Sequence, residues 1–332
     1  MARHLTYKDT KRQSLEVFGQ FGHTKWIPNA KENAKLERRS AFELQNVGLG
    51  KTLVLVAMGA SLEENIDVLK QHRGKVDILC CDKAFVPLME RGIKPDYVMI
   101  CDANIPARHY ETHVLQTNDI VLIATPYANT LWTKPWLGPR YFYVNKDAIN
   151  SEEIFIPIMG KDTRVIPASS NVSNAMVVFM TGSDERKRLN WGGYEKYLLV
   201  GYDYSWRPKE NYYAWSNPIP KRHYMHHLTM HDFKGHYSFT SHNLLFSARW
   251  LYDYVTFHQV PVVNCSERGL LDIPMKNTFE NELCAVNADN RAREYVRDTY
   301  KQLQNTTVAH LQAQRMFDRA REAIWQSAAM QR

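Results

Sequence analysis

The sequence predicts an α/β protein built on a doubly wound, mostly parallel sheet with helical flanks. Apolar runs of strand length alternate with helical patterns from Thr52 onward, which is the element order of a parallel sheet covered by helices. The runs VDILCC and YVMIC are continuously apolar, as strands buried on both faces require. A small-residue turn follows the first run, at the place where open α/β sheets bind phosphate groups.

The composition is that of a folded globular chain. Hydrophobic residues make up 44% and charged residues 23% of the 332 residues, which is enough to bury the core of one large domain or two ordinary ones. No apolar run reaches the length of a membrane span, and the polar start MARHLTYKDTKRQSLE lacks the apolar segment of a secretory signal. The five cysteines are odd in number and show no CxxC spacing. We therefore expect a cytoplasmic protein without disulfides.

The net charge of +7 is confined to the two ends of the chain. Residues 51–287 hold twenty-five basic and twenty-five acidic side chains, while residues 1–50 and 288–332 carry the excess. Solvated helix faces commonly carry such charge, although an acidic partner or phosphates would also be attracted. Nucleic-acid binding is therefore only weakly supported.

The first strand, turn and helix follow from local chemistry. TLVLVAM is a short apolar run rich in β-branched residues, and Gly59 allows the chain to turn sharply after it. Ser61 is a suitable helix cap, and Leu62, Ile66 and Leu69 then lie at helical spacing. VDILCC and YVMIC predict the second and third strands, with a helix between them.

The second half repeats the alternation and is then interrupted. DIVLIATPY and RYFYVNK predict two strands, SSNVSNAMVVFMTG a helix in its later half, and YLLVG a strand that ends near Asp203. Residues 205–242 are rich in aromatic residues, Pro and His and weak in periodicity, which predicts a long functional loop or lid. NLLFSARWLYDYVTFHQ then predicts a helix, VPVVNCS a strand, and residues 288–325 further helices.

Acidic residues follow three of the predicted strands, at Asp82, Asp102 and Asp203. Because the carboxyl ends of parallel strands meet at one edge of the sheet, we expect these side chains to approach one crevice. Ribose hydroxyls, base amino groups and a divalent metal are the candidate ligands. The turn at Gly59 faces the same edge, but it satisfies neither the GxGxxG nor the Walker pattern, so a purely structural turn is equally open.

Seven of the thirteen histidines lie between His223 and His258. Four of them have the spacing of helical metal ligands: His223, His226, His227 and His231. The surrounding Pro and aromatic residues argue against a regular helix, so no metal site is predicted there. A histidine in this loop is alternatively a general base at neutral pH, and the hydroxyls of Tyr212 and Tyr213 can stabilise a leaving phosphate unless they only pack the loop.

The central segment resembles the DUF115 family, which includes the motility accessory factors and the archaeal MptE-like 6-hydroxymethylpterin pyrophosphokinases. The family pattern is G-x-G-P-S-L, an acidic residue and Ala before a helix, then L-x-x-x-G-I-K-P-D-Y and a final Asp. The matching positions are Gly59, Ser61, Leu62, Asp82, Ala84, Gly92, Ile93, Pro95, Asp96 and Asp102. The resemblance implies a Rossmann-like nucleotide-binding catalytic domain at residues 51–275, between an N-terminal basic flank at 1–50 and a C-terminal helical region at 276–332.

The same element order is similar to the bacterial sialyltransferases of glycosyltransferase family 42, which use a CMP-sugar and usually need no metal. Together with the acidic residues that follow the predicted strands, this resemblance implies a nucleotide site. Its residues would be Gly59, Ser61, Asp82, Asp102, Ser169, Ser170, Asn171 and Gly201. It also implies catalytic roles for Asp203, for Tyr212 at the departing phosphate, and for His236 as the base. His231 and His242 are alternatives to His236.

The resemblance implies a glycosyltransferase that moves a sugar from a nucleotide-sugar donor, with a CMP-sugar favoured, to a hydroxyl acceptor without a cofactor. The alternative is an MptE-like pyrophosphokinase, in which Mg²⁺ and ATP would lie near the three acidic residues. A non-catalytic interaction protein is a third possibility, because Ala57 and Ala60 stand where the family has its first Gly and its Pro. The C-terminal helical region is long enough to join copies into a homo-oligomer, and the class of acceptor stays open.

Overall fold

The fold is an α/β sheet protein, as predicted. This computed structural model describes residues 16, 18–105, 111–146, 150–167, 169, 171–182, 190–208, 212–215 and 227–286. The strands are β1 (Thr52–Val56), β2 (Asp77–Cys81), β3 (Tyr97–Ile100), β4 (Val121–Ala124), β5 (Arg140–Lys146), β6 (Arg164–Pro167), β7 (Lys196–Val200), β8 (Leu228–His231), β9 (Tyr237–Thr240) and β10 (Val262–Asn264). The α-helices are α1 (Ile27–Asn33), α2 (Leu62–Gln71), α3 (Asp82–Glu90), α4 (Thr130–Thr133), α5 (Ser151–Met159), α6 (Val172–Thr181) and α7 (His242–His258).

Eight of the strands form one parallel sheet in the order β10-β7-β1-β2-β3-β4-β5-β6. Every neighbouring pair is parallel. The chain moves outward from β1 to β6, then returns to the other side of β1 with β7, where Thr52 pairs with Lys196 and Val56 with Val200. Open α/β sheets bind ligands outside the carboxyl ends of the strands at such a reversal. The topology therefore places a site where β1 and β7 end.

Burial of the central strands confirms the prediction from their apolar runs. Every residue of β1 and of β3 is buried, because helices cover both faces of a parallel sheet. Near one end of the sheet, α1 packs beside α5 in an apolar cluster that contains Ala30, Tyr127 and Phe155. Part of the segment predicted as a flank at residues 1–50 thus contributes to the core.

Several elements were not predicted from the sequence, among them α5, β6 and the two strands β8 and β9. The helix α5 contains Pro157, which lacks a backbone N–H and so hides a helical pattern. The strand β6 has only four residues and lies at the end of the sheet. The strands β8 and β9 form an antiparallel hairpin inside residues 205–242. The prediction that this whole segment is a loop is therefore wrong for the hairpin.

The chain divides into two compact units, residues 1–276 and 277–332. The sheet and the site described below belong to the first unit. In the second unit, residues 279–286 are helical, and residues 287–332, which include most of the predicted helical region, lie outside the described residues. Among the described helices, none is both long and apolar enough to cross a bilayer.

Candidate functional site

A cavity of about 450 Å³ lies at the carboxyl edge of the sheet, where β1, β2, β3 and β7 end. Its wall is completed by the first residues of α6 and by the segment Tyr212–Trp215, of which the two tyrosines face the cavity. The wall brings together seven residues that the sequence analysis singled out: Gly59, Asp82, Asp102, Asn171, Gly201, Tyr212 and Tyr213. Its volume is in the range of small-molecule sites.

Two glycines leave bare backbone at the point where β1 and β7 end. The amide of Gly59 donates to the carbonyl of Gly201 over 2.9 Å. A Cβ atom on Gly59 would lie 2.5 Å from that carbonyl oxygen, and one on Gly201 would lie 2.5 Å from the Ala57 oxygen. Gly201 also has a φ of +74°, which side chains rarely allow. These strand ends therefore approach each other only because both positions are glycine.

Asp203 and Ser61 form a buried pair beside this turn and are not part of the cavity wall. The Ser61 amide donates to Asp203 Oδ2 over 2.8 Å, and the Ser61 hydroxyl donates to Oδ1. Ser61 stands at the start of α2 but makes no capping bond there, contrary to its predicted role as a cap. Burial raises the pKa of Asp203 to about 6, although the Ser61 bonds and Arg268, whose Nε lies 3.7 Å from Oδ2, oppose the rise. The pair fixes the turn rather than facing a ligand.

Asp82 and Asp102 bring two carboxyl groups to the same cavity. Asp82 is the first residue of α3, is buried, and accepts a 2.7 Å hydrogen bond from the Lys83 amide. Burial raises the pKa of Asp82 to about 6, with a further contribution from the charge of Asp102. Asp102 is exposed and accepts a 2.8 Å bond from the Asn104 amide. A divalent cation would neutralise this pair, and a ligand rich in N–H and O–H groups would donate hydrogen bonds to it.

Lys83 is a wall residue that the sequence reasoning missed. Its Nζ lies 2.9 Å from the hydroxyl of Tyr213 and 4.2 Å from the centre of that ring. Burial lowers the pKa of Lys83, but Tyr213 and Asp82 raise it by more, so the net shift is upward and the amine stays charged. Among the described wall residues, Lys83 is the one basic side chain. Its position directly after Asp82, in the first turn of a helix, was the available signal.

The remaining polar wall groups supply hydrogen bonds rather than thiolate chemistry. Burial raises the pKa of Tyr212, so its phenol keeps its proton and can donate. Asn171 caps α6 by accepting a 2.9 Å bond from the Asn174 amide. Cys81 and Cys101 also line the cavity, but burial raises the pKa of both thiols, to about 12 for Cys81. Neither cysteine provides a nucleophile at neutral pH.

His236, the predicted base, lies in the turn between β8 and β9 and does not line the cavity. Its ring nitrogen Nδ1 is 3.1 Å from Arg207 Nη2 and 3.5 Å from Asp232 Oδ2. Because arginine only donates, the contact with Arg207 makes Nδ1 an acceptor and places the proton of a neutral ring on Nε2. His231 and His242, the alternatives, are exposed and lie outside the wall as well.

The other described residues that the sequence analysis considered for the nucleotide or for a metal do not line this cavity. The Ser169 hydroxyl donates to Asn145 Oδ1 over 3.2 Å, away from the wall. Ser170, His223 and His226 lie outside the described residues. Within the described part of the chain, no three His, Cys, Asp or Glu side chains are grouped to hold a metal. Asp82 and Asp102 alone would leave most positions of a bound cation to its substrate or to water.

Comparisons with known proteins include a family model, a sequence relative and a solved structure. The family model described as "6-hydroxymethylpterin diphosphokinase MptE-like" matches residues 24–208, which contain all four strand ends of the cavity. An uncharacterized protein of Treponema pallidum (strain Nichols) is 28% identical over 102 residues, which are 31% of this chain and 47% of that protein. The MAf glycosyltransferase structure from Magnetospirillum magneticum AMB-1 has a TM-score of 0.55 over 77% of this chain and 39% of that one. At 14% identity, this last likeness shows a shared fold, and the chain spans less than half the length of either relative.

Proposed function

Because the chain belongs to the 6-hydroxymethylpterin diphosphokinase MptE-like family, we propose that it is a transferase whose donor is a nucleotide. One observation carries the proposal: Asp82, Lys83 and Asp102 meet in a single cavity at the strand reversal. The geometry favours transfer of a diphosphate group from ATP to a hydroxyl acceptor. In this reaction the hydroxyl oxygen bonds to the β-phosphorus, and the bond from that phosphorus to the oxygen that bridges it to the α-phosphorus breaks. AMP leaves with that oxygen, and the hydroxyl proton passes to the solvent.

The chain supplies groups suited to a nucleotide phosphate. Gly59 and Gly201 line the cavity at the strand ends, which is where open α/β sheets bind phosphate groups. The charged amine of Lys83 would stabilise the negative charge that builds up during transfer, and Tyr212 would donate a hydrogen bond to it. These groups act without moving far, because Lys83 lies in the first turn of α3 and Tyr212 packs edge-on against Trp206 at 4.8 Å between ring centres.

The carboxylate pair fits a magnesium ion carried in by the nucleotide. Mg²⁺ in phosphate-transfer sites is commonly held by one or two carboxylates, with substrate phosphates and water completing its shell. Asp82 and Asp102 would be those two ligands, and their mutual repulsion favours a cation between them. When bound, the ion would neutralise phosphate charge and so ease the attack of the acceptor oxygen.

Sugar transfer from a nucleotide-sugar is the second candidate. Tyr212 and Tyr213 support it, because both residues line the cavity and a phenol hydroxyl can donate a hydrogen bond to a departing phosphate. In this reaction Asp82, with a pKa of about 6, is a better base than His236, since it faces the cavity and His236 does not. A base with a pKa near the working pH is effective.

A nucleotide panel tests both reactions. Thermal unfolding would be followed with ATP, CMP, CDP, UDP and GDP, each with and without Mg²⁺; a ligand at a hundred times its Kd stabilises by about 2.7 kcal/mol. Stabilisation by ATP only with Mg²⁺, followed by AMP release with a hydroxymethylpterin acceptor, is the expected result. Stabilisation by CMP without metal would replace it with sugar transfer. A folded protein that binds none of the panel is not a nucleotide-dependent transferase.

The two reactions also assign different roles to Asp82. For diphosphate transfer, Asp82→Asn raises the Mg²⁺ concentration needed for half-maximal rate, because a metal ligand is lost. For metal-free sugar transfer, the same change lowers kcat and leaves the rate independent of Mg²⁺. Asp67→Asn, an exposed change on α2, is the control that should alter neither quantity.

A further inference from the structure

The segment Tyr212–Trp215 is attached to the protein at one wall residue of the cavity and at two residues outside it. The Ala214 amide donates to the Met58 carbonyl over 3.0 Å, which ties the segment to the turn after β1. The Trp215 amide donates to Glu63 Oε1 over 2.5 Å, and the guanidinium carbon of Arg91 lies 3.6 Å from the centre of the Trp215 ring. Glu63, Arg91 and Trp215 are not wall residues.

The helix α3 contacts this short segment at two places. Lys83 in its first turn contacts the Tyr213 ring and hydroxyl, and Arg91 directly after its last residue stacks on Trp215. Arg91 is itself held to the helix, because its Nη1 donates to the Pro87 carbonyl over 3.0 Å. One helix thus carries both the amine that lines the cavity and a second contact with the same segment outside the cavity.

Trp215 also requires an anchor of this kind. Its φ is +55°, in the left-handed region that bulky residues avoid. Such a conformation persists only where surrounding contacts enforce it. The bond to Glu63 and the stack with Arg91 are the contacts that hold this residue, two positions from Tyr213.

We propose that Arg91 and Glu63 are positioning residues for the transfer reaction and act through Trp215. They set where Tyr212 and Tyr213 stand in the wall, and therefore where the amine of Lys83 is held relative to the donor phosphates. The inference rests on the proposed function for its catalytic consequence. Its structural part is that Arg91 and Glu63 determine where Lys83 and Tyr213 lie, and this part rests only on the contacts described above.

Substitutions outside the cavity separate this role from simple stabilisation. The change Arg91→Ala removes the stack, and Glu63→Ala removes the acceptor, while Glu63→Gln keeps an acceptor oxygen. A displacement of about 1 Å in a reacting group can cost about a hundredfold in rate, so we expect kcat/KM to fall about tenfold or more in the two alanine variants. Glu63→Gln should recover most of the loss, and Glu90→Ala, an exposed neighbour on α3, should show none.

A second readout does not depend on activity. Lys83 would be labelled with an amine-reactive reagent and its modification rate followed by mass spectrometry in each folded variant. Faster labelling in Arg91→Ala and Glu63→Ala than in the unmodified chain and Glu90→Ala is the expected result. Unchanged labelling, with kcat/KM within about twofold of the unmodified chain, overturns the inference. If the unmodified chain binds no nucleotide while labelling still responds, the proposed function fails and the placement of Lys83 stands.

Trp215 provides an independent check if one variant folds poorly. Trp215→Phe keeps an aromatic face for Arg91, whereas Trp215→Ala removes it. A larger increase in Lys83 labelling for the alanine variant than for the phenylalanine variant supports the stack as the anchor. Equal labelling in both variants contradicts it.

Discussion

Gly59 and Gly201 contact each other through bare backbone, with the Gly59 amide 2.9 Å from the Gly201 carbonyl oxygen. A Cβ atom on Gly59 would also lie 2.7 Å from Asp203 Cγ. Gly201 is held in place by the strand β7, which it follows, and Asp203 is held by its bonds to Ser61. This contact has no room for a methyl group.

We therefore expect Gly59→Ala to destabilise the fold. Overpacking of a fixed site typically costs about 1–3 kcal/mol, and the displaced carbonyl belongs to the cavity wall, so nucleotide binding should weaken as well. Gly74→Ala is the matched control, because a Cβ there meets nothing within 4 Å. Urea unfolding of both variants measures the difference. Equal midpoints for the two would show that the turn yields easily.

Asp203→Asn tests the buried pair beside the turn. An amide retains one acceptor oxygen for the two Ser61 donors and loses the charge opposite Arg268, so the change should cost about 1–3 kcal/mol of unfolding free energy. Asp67→Asn on the exposed face of α2 provides the control. An unfolding free energy of Asp203→Asn within error of the control would mean that the pair contributes little to the turn.

Asp82 makes stability depend on pH in a predictable direction. Its pKa is about 6 in the folded chain against an ordinary value of 3.8, so between these values the folded state holds a proton that the unfolded state has released. Stability then falls as pH rises from about 4 to about 6, by up to about 1.4 kcal/mol per pH unit. Asp82→Asn lacks this effect and should gain stability relative to the unmodified chain across that window. Urea unfolding at several pH values measures the difference, and a difference that is constant from pH 4 to 7 would exclude the raised pKa.

Lys83 should dominate phosphate binding among the wall residues. Lys83→Met removes a charge-assisted interaction that is typically worth about 1.5–3 kcal/mol, so the Kd for the nucleotide should rise about tenfold to a hundredfold. Lys70→Met, on the exposed face of α2, should leave the Kd unchanged. Isothermal titration with the nucleotide found in the panel gives both values. An unaltered Kd in Lys83→Met would remove this amine from the phosphate site.

His236 should be dispensable for the chemical step. The ring lies outside the cavity wall and contacts Arg207 and Asp232 instead. Loss of a general base typically lowers kcat by about a hundredfold or more. Because His236 does not face the cavity, His236→Asn should instead retain kcat within a factor of a few. A hundredfold loss in His236→Asn would show that the hairpin moves into the site during the reaction.

Much of the sheet and half of the site follow from local sequence chemistry. The strands β1, β2 and β3 are continuous apolar runs, and Asp82 and Asp102 come directly after two of them. Asp203 also follows a strand, yet its side chain turns toward Ser61. The position of a residue at a strand end does not give the direction of its side chain, which here depends on the contact between Gly59 and Gly201.

The misplaced and missed residues have longer-range causes. His236 lies on a hairpin located by main-chain bonds of 2.8 and 2.9 Å between Trp206 and Phe239, a pairing that no local pattern reveals. The sequence analysis missed Lys83 because a lysine in the first turn of a helix is common. Only the structure shows that Tyr213 lies opposite this lysine. Both cases depend on contacts between residues far apart in the chain.

The pairing of β1 with β7 has a consequence for synthesis of the chain. The strands from β1 to β6 emerge in the order in which they pair, so this part of the sheet can assemble as it leaves the ribosome. The edge of β1 that faces β7 stays unpaired until Lys196–Val200 has been made, and it presents the apolar run TLVLV to other strands in the meantime. A nascent chain stalled before residue 196 therefore contains Asp82 and Asp102 on a sheet in which one edge of β1 is unpaired and prone to aggregation. We expect such chains to depend on chaperones more than the finished protein does.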